Sequence, residues 1–237
     1  MRGRERHAPL NPGPRPTTRR ALKIGVVSDT HLPRFGERLP EALERGLRRE
    51  RVTRILHLGD FTGPEVPRLF EEVAPLEAVA GNNDPTALVR RFGRRRILTL
   101  GGVRVGMVHG DGPRGTTIDR SVAAFADEPV DVICFGHSHQ PVCERRGATW
   151  LVNPGSPTDK RRQARYSYAI LSIARGRVLP RLVLFGSSAR RPTARRPSPR
   201  PSPRGGEGEG QVGIRTSWRG RGRSRGRRRE GRRASGR

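Results

Sequence analysis

The sequence has few cysteines, few aromatic residues and no long apolar run. Only Cys134 and Cys143 occur among 237 residues, which does not suggest a disulfide framework or an oxidising compartment. No segment approaches the ~20 apolar residues of a membrane span. No apolar stretch follows the basic N-terminus, so it does not have the pattern of a secretory signal. We therefore expect a cytoplasmic protein with no membrane partner.

Acidic residues are also scarce, with 22 Asp and Glu against 49 Lys and Arg, and the net charge of +27 is unevenly placed. Residues 187–237 carry 17 Arg and three Glu, but only six of these 51 residues are apolar. Between 21 and 186, 67 of 166 residues are apolar, enough to bury a core. We expect residues 21–186 to form one domain, between a disordered basic lead at 1–20 and a disordered Arg/Gly/Pro-rich tail at 187–237.

The tail repeats Arg-Pro-Ser-Pro and then continues in Arg-Gly runs. Arg-Gly segments bind nucleic acid in other proteins, so nucleic acid is one candidate partner of the tail. A solvated extension with no partner is the interpretation that this composition favours.

Three predicted strands in the first half each end in a polar cluster. The strands are Leu22–Val27, Ile55–Leu58 and Leu76–Ala80, and helical patterns around Arg38–Arg49 and after Pro64 separate them. Alternation of strands and helices predicts parallel pairing with right-handed crossovers. In such sheets, ligands bind beyond the carboxyl ends of the strands.

The second half has a different pattern. A hairpin is predicted around Gly101-Gly102, and a helix at 118–126. Further strands are predicted at 132–135, 149–152, 166–173 and 178–185. Together the two halves predict an α/β fold with two sheets packed face to face and helices outside.

Seven polar side chains follow predicted strands and could hold metal. They are Asp29, His31, Asp60, Asn82, His109, His137 and His139. Any one of them could belong to an ordinary turn, but five such clusters at strand ends indicate a shared site. Carboxylates, an amide and imidazoles without thiolate suit Mn, Fe, Zn, Co or Ni better than Ca or Mg. Seven ligands suffice for two ions sharing a carboxylate, an arrangement that supports in-line displacement at phosphorus.

These clusters resemble a known family. Asp-Thr-His (29–31), Gly-Asp (59–60), Gly-Asn-Asn-Asp (81–84), His-Gly (109–110) and Gly-His-Ser-His (136–139) match in order the five blocks of the calcineurin-like metallophosphoesterases. The resemblance covers about residues 22–185. The short length and the Asn-Pro-Gly-Ser run at 153–156 resemble the small single-domain prokaryotic phosphodiesterase branch. The resemblance implies a four-layer α/β/β/α sandwich.

The resemblance also implies residue roles. Asp29, His31 and His139 would hold one metal ion, Asn82, His109 and His137 a second, and Asp60 would bridge them. Asn82 and Asp60 are the expected catalytic residues, and Asn82 would also contact the substrate. The expected cofactor is a pair of divalent ions, with Mn preferred over Ni, Fe, Zn or Co. A hydroxide bridging the ions would hydrolyse a small phosphate ester, most simply a phosphodiester.

One position departs from the pattern of many relatives. They carry a His after the ligand Asn, and this His protonates the leaving group. Here Asn83 stands at that position, and an amide is no acid at neutral pH. The small branch often departs from His at this position, and the absence favours substrates with good leaving groups. Arg114 could face the phosphate, although a solvated loop arginine fits the sequence equally well. The same holds for Lys160, Arg161 and Arg162, which follow the Asn-Pro-Gly-Ser run.

Alternatives remain at this stage. The same site would serve a phosphomonoesterase or a nuclease. The fold also serves as a non-catalytic scaffold in the eukaryotic retromer complex, where ligand positions have eroded, whereas all seven positions here carry ligand-competent side chains. No pattern in the sequence indicates an oligomeric state.

Overall fold

The structure, a computed structural model, describes residues 21–186. Within this range the chain forms the following elements, in order: β1 (Leu22–Val27), α1 (Glu41–Glu50), β2 (Arg54–His57), α2 (Val66–Glu71), β3 (Leu76–Ala78), α3 (Thr86–Phe92), β4 (Arg95–Leu100), β5 (Val103–Val108), α4 (Thr117–Ala123), β6 (Val132–Cys134), β7 (Val142–Arg146), β8 (Thr149–Asn153), β9 (Tyr166–Ala174) and β10 (Arg177–Phe185). The predicted basic lead and tail lie outside the described residues. None of the helices between residues 21 and 186 is long and apolar enough to cross a membrane.

The first sheet has the strand order β10-β9-β1-β2-β3. Strands β1, β2 and β3 are parallel, with Val27 opposite His57 and His57 opposite Ala78, which confirms the pairing predicted from the strand–helix alternation. Strands β9 and β10 extend the sheet as an antiparallel hairpin beside β1.

The second sheet has the strand order β4-β5-β6-β8-β7. Its three inner strands, β5, β6 and β8, are parallel, and β4 and β7 flank them antiparallel. The predicted hairpin at Gly101-Gly102 is confirmed, since Leu100 pairs with Val103 across it.

Apolar side chains fill three layers of core. Between the sheets, Ile24 and Leu56 pack in one cluster with Val105 and Cys134. Helices α1, α2 and α3 cover the outer face of the first sheet through residues such as Leu43 and Phe70, and α4 lies against the outer face of the second sheet. Each fully buried Leu or Phe of these layers contributes roughly 1.5–3 kcal/mol. The four-layer α/β/β/α sandwich is therefore confirmed.

Two elements were not predicted, and several predicted boundaries differ from the observed ones by one to three residues. Helix α3 is short and buries only Leu88 among its seven residues, so it has little apolar periodicity. Strand β7 lies at a sheet edge and ends in exposed Glu144, Arg145 and Arg146. Helix α2 begins at Val66 rather than Pro64. None of these differences moves a candidate ligand away from the carboxyl end of its strand.

Candidate metal centre

Five of the seven predicted ligands converge at the carboxyl ends of β1, β2, β5 and β6. Two overlapping groups have ligand atoms within 4.8 Å of one another: Asp29, His31 and His139, and Asp29, Asp60 and His109. All five side chains are buried. Each of the two carboxylates lies close to a histidine of the first group and to His109 of the second. Asp29 Oδ1 lies 3.4 Å from His139 Nε2 and 4.0 Å from His109 Nε2, and Asp60 Oδ2 lies 3.8 Å from His31 Nε2 and 3.4 Å from His109 Nε2.

Asn82 and His137 form a pair beside this cluster. Asn82 Oδ1 lies 3.1 Å from His137 Nδ1 at a more exposed position. The His137 backbone N–H donates to Asp29 Oδ2 at 3.0 Å, and the rings of His137 and His109 are 5.2 Å apart. The pair therefore borders the His109 side of the cluster, where the second ion was predicted.

Two buried ligand atoms in the cluster have no hydrogen-bond partner among the described residues. They are Asp29 Oδ1 and His109 Nε2. A buried polar atom without a partner costs about 1–3 kcal/mol, so two such atoms 4.0 Å apart need a compensating interaction. A divalent cation would supply it, and the mixed oxygen and nitrogen donors fit Mn, Fe, Zn, Co or Ni.

Backbone carbonyls orient two of the histidines. His109 Nδ1 lies 2.6 Å from the Leu58 carbonyl, and His139 Nδ1 lies 2.6 Å from the Asp159 carbonyl. A carbonyl can only accept, so both Nδ1 atoms carry hydrogen and both Nε2 atoms face the cluster. Metal-binding histidines are commonly held in this way.

Electrostatics couple the buried acids to His109. Burial raises the pKa of Asp29 to about 7, against the opposing charge of His109. For His109, burial lowers the pKa, but the adjacent Asp60 and Asp29 outweigh it and raise the value to about 9. For Asp60, burial acts upward, but His109 and the donors of Asn83 hold its pKa below the usual 3.8. His109 therefore carries a proton at neutral pH that a metal ion must displace.

Five of the seven candidate ligands have left-handed backbone. Their φ angles are 55° at Asp29, 46° at His31, 59° at Asp60, 64° at His137 and 57° at His139. Residues other than Gly adopt this conformation uncommonly, although Asn, Asp and His do so more often than the rest, and each instance costs of the order of 1–3 kcal/mol. Strained backbone conformations concentrated at the ends of strands are typical of a functional site.

Asp84 braces the loops after β2 and β3, a role that the sequence did not reveal. Its carboxylate accepts from the backbone N–H groups of Asp60, Thr62 and Gly81 at 2.8–2.9 Å. The resemblance implies that this acid pairs with a catalytic His. In this chain Asp84 instead accepts hydrogen bonds from backbone N–H groups. The three donors lie on two loops, and no local sequence pattern predicts such contacts.

The Asn153–Ser156 run fastens the loops after β1 and β6. Ser156 Oγ donates to the Asp29 carbonyl at 2.7 Å, and Asn153 Nδ2 donates to the Gly136 carbonyl at 2.8 Å. Thr158 Oγ1 donates to the Thr30 carbonyl at 2.6 Å. Loops of both sheets are thereby held against each other around the candidate ligands.

Among the basic residues considered for phosphate binding, Arg114 and Arg161 lie in different settings. Arg114 is exposed, and its carbonyl accepts from Arg120 at 3.1 Å, so its contact with substrate stays a prediction. Arg161 lies 3.8 Å from the Asp159 carboxylate, measured from Nε to Oδ2. The pKa of both His31 and His139 is lowered, mainly by burial and in part by the positive charge of Arg161. Arg161 is linked to this side of the cluster through Asp159, whose carboxylate lies beside Arg161 and whose carbonyl accepts from His139 Nδ1.

Comparison with known proteins points to one family. The model of the calcineurin-like phosphoesterase superfamily domain matches residues 22–176. A probable metallophosphoesterase of Methanothermobacter thermautotrophicus is 39% identical over 142 residues, which are 58% of this chain and 78% of the relative. A phosphodiesterase of Methanocaldococcus jannaschii is 28% identical over 151 residues, covering 56% of this chain and 83% of that protein.

A solved structure shows the same fold. Vps29 of Entamoeba histolytica in complex with zinc superposes with a TM-score of 0.55, covering 70% of this chain and 100% of that one, at 21% identity.

Proposed function

Since the chain belongs to the calcineurin-like phosphoesterase superfamily, we propose that it is a dinuclear metal-dependent phosphodiesterase. The observation that carries the proposal is the buried cluster in which Asp29 Oδ1 and His109 Nε2 lack partners among residues 21–186. The related phosphodiesterase supports diesters as substrates. Mn is the metal we expect, with Ni, Fe, Zn or Co as alternatives.

We assign each ligand to one of two sides. His31 and His139 converge with Asp29 on one side, and their Nε2 atoms are 3.2 Å apart. His109, His137 and Asn82 occupy the other side. Asp60 lies near His31 on one side and His109 on the other, so we assign it as the ligand that would bridge the two ions. Asp29 also belongs to both ligand groups. Two divalent ions held there would polarise the phosphoryl oxygens and lower the pKa of the attacking water.

The residues around the cluster suit an anionic substrate. Arg161, which Asp159 links to His139, would place positive charge beside the site. Asn82 is exposed at the edge of the cluster, where its amide N–H can reach a phosphoryl oxygen that gains charge during displacement.

Asn83 favours esters with good leaving groups. Its backbone N–H donates to Asp60 Oδ1 at 2.9 Å, and its Nδ2 donates to Asp60 Oδ2 at 2.7 Å. The side chain therefore fixes the carboxylate instead of delivering a proton. An aryl diester, whose leaving group departs without protonation, should be cleaved faster than an alkyl diester.

A non-catalytic scaffold is the second candidate, because the fold matches Vps29. The buried, strained ligand cluster favours the enzyme. A scaffold gains nothing from two unpartnered buried polar atoms.

The test is hydrolysis of bis(p-nitrophenyl) phosphate and p-nitrophenyl phosphate after chelation, followed by addition of Mn, Ni, Zn or Mg. We expect turnover of the diester to return with a transition metal, to exceed that of the monoester, and to vanish in an Asp60→Asn variant. The variant controls for contaminating hydrolases. A folded, metal-loaded protein that cleaves neither ester would favour the scaffold, and faster monoester cleavage would replace phosphodiesterase with phosphomonoesterase.

A further inference from the structure

An exposed aromatic ring lies beside the candidate metal centre. Among residues 21–186, four large apolar side chains are exposed, namely Phe35, Val122, Leu179 and Leu184, and Phe35 is the one aromatic residue in this set. Phe35 is 42% exposed, and the centroid of its ring lies 6.3 Å from that of His31 in an edge-on arrangement. The ring therefore stands next to a candidate ligand with much of its surface open.

The turn that carries the ring is well fastened. The Phe35 N–H donates to the His31 carbonyl at 3.3 Å, and the Gly36 N–H donates to the Pro33 carbonyl at 3.0 Å. Thr62 Oγ1 donates to the Leu32 carbonyl at 2.6 Å, which ties the turn to the loop after β2. These contacts fix the backbone of the turn that carries the ring.

Positive charge accompanies the ring. The guanidinium carbon of Arg34 lies 5.3 Å from the centroid of Phe35, within the range of a cation–π contact. Arg161 is linked to His139 through Asp159, which contacts both residues. A ring with a guanidinium over its face and next to a phosphoester site combines a stacking surface with attraction for an anion, the combination that binds planar groups attached to phosphates.

We propose that Phe35 is a stacking platform for a planar aromatic substituent of the substrate, so that the preferred ester carries an aryl group or a nucleobase. The proposal rests on the function proposed above and specifies the substrate class of the same site. Phosphorus held at the cluster places its ester substituents a few ångströms away, within reach of a ring 6.3 Å from His31. Stacking a planar group also covers apolar surface that the fold leaves in water.

The test is equilibrium binding of product-like monoesters to the Mn-loaded protein by calorimetry. Phenyl phosphate and adenosine 5′-phosphate carry a planar group, whereas ethyl phosphate has the same charge without one. The variants are Phe35→Leu, which keeps the apolar volume without the ring, and Phe35→Trp, which keeps an aromatic ring. Leu179→Ala is the matched control, because it removes an exposed apolar side chain from β10. Melting temperatures check that each variant folds.

We expect the wild type to bind at least one aromatic monoester about tenfold more tightly than ethyl phosphate, a preference of ~1.4 kcal/mol. Phe35→Leu should abolish the preference, and Phe35→Trp and Leu179→Ala should keep it. If the wild type prefers both aromatic ligands, the subsite accepts planar groups in general. If it prefers only one of them, that ligand shows whether the substrate carries an aryl group or a nucleobase. Equal binding of all three ligands by the wild type would overturn the proposal, as would a preference that survives in Phe35→Leu.

Turnover reports on the two proposals separately. Bis(p-nitrophenyl) phosphate hydrolysis tests the enzyme, and the monoester affinities test the platform. A protein that keeps the aromatic preference without any turnover would refute the proposed reaction while leaving the Phe35 platform in place.

Discussion

At the scale of single residues, His57 links two loops that carry candidate ligands. It is fully buried, and its ring stacks on Phe61 with 3.6 Å between centroids. Burial lowers its pKa well below 6.5, aided by the charge of His109, so the ring is neutral. Nδ1 accepts from the Gly59 N–H at 3.3 Å, which leaves the proton on Nε2, 3.2 Å from Thr30 Oγ1. The ring thereby joins the loop after β1 to the loop after β2.

Replacement of His57 tests this link. His57→Leu would leave the Gly59 N–H and the Thr30 hydroxyl without their partner, and we expect a loss of about 2–4 kcal/mol in unfolding free energy. Metal affinity should fall roughly tenfold, because the loops that hold Asp29 and Asp60 lose their common contact. His57→Gln, which keeps a donor and an acceptor, should lose less of both. Denaturant titration and metal titration measure the two effects, and wild-type metal affinity in His57→Leu would contradict the link.

The pKa of His109 predicts how pH affects the metal-free protein. Its folded value is about 9 against 6.5 for an ordinary histidine, so the folded state binds the extra proton. The stabilisation from this proton is fully present below pH 6.5 and is lost as the pH rises through 9. Metal affinity should rise over the same interval, because the ion needs the neutral imidazole.

Thermal denaturation between pH 6.5 and 9 checks this expectation. The melting temperature of the chelated protein should fall with increasing pH, and the gap to the metal-loaded protein should widen. His109→Gln should remove most of the slope. A chelated protein whose melting temperature does not change across this range would contradict the assigned coupling of His109 to Asp60 and Asp29.

At the scale of elements, the strand ends set the site. The sequence was sufficient to predict β1, β2, β5 and β6 because each is a short apolar run followed directly by polar residues. It was also sufficient to predict that ligands would gather within each sheet, since carboxyl ends of parallel strands in one sheet share an edge. That the edges of both sheets contribute to one site was implied by the resemblance. The brace formed by Asp84 and the link formed by His57 could not be predicted, because their partners are backbone groups and side chains of distant loops.

Close packing of the loops after β1 and β6 depends on Gly136. A Cβ at this position would lie 1.9 Å from Ser28 Oγ and 2.8 Å from Asp29 Oδ2. We expect Gly136→Ala to push Asp29 out of place, lowering the melting temperature and weakening metal binding by at least tenfold. Gly186→Ala is the control, because nothing lies within 4 Å of its Cβ. Unchanged metal binding in Gly136→Ala would show that the two loops do not need this close approach.

At the scale of the whole molecule, the family match and the described strands lie in the apolar-rich part of the chain. The family match ends at residue 176, and the last described strand ends at Phe185. Composition predicts a boundary between segment 21–186 and the arginine-rich tail, because apolar residues are needed to bury a core, and this boundary stays a prediction. Composition does not identify a binding partner for the tail.

Deletion of residues 187–237 tests the role of the tail. We expect the shortened protein to keep its melting temperature, metal affinity and diester turnover, because every ligand lies between Asp29 and His139. Any binding of single-stranded nucleic acid should weaken strongly, because the tail carries 17 arginines. Filter binding at several salt concentrations measures this. Loss of turnover on deletion would contradict the assignment of catalysis to residues 21–186.

The central claim is that seven side chains form a two-metal centre, and metal stoichiometry tests it most directly. The chelated full-length protein would be titrated with Mn by calorimetry, and the bound metal counted by elemental analysis after dialysis. We predict two ions per chain for the wild type and weaker or incomplete binding for Asp60→Asn, with an unchanged fold by circular dichroism. One ion or none in the folded wild-type protein would contradict the account.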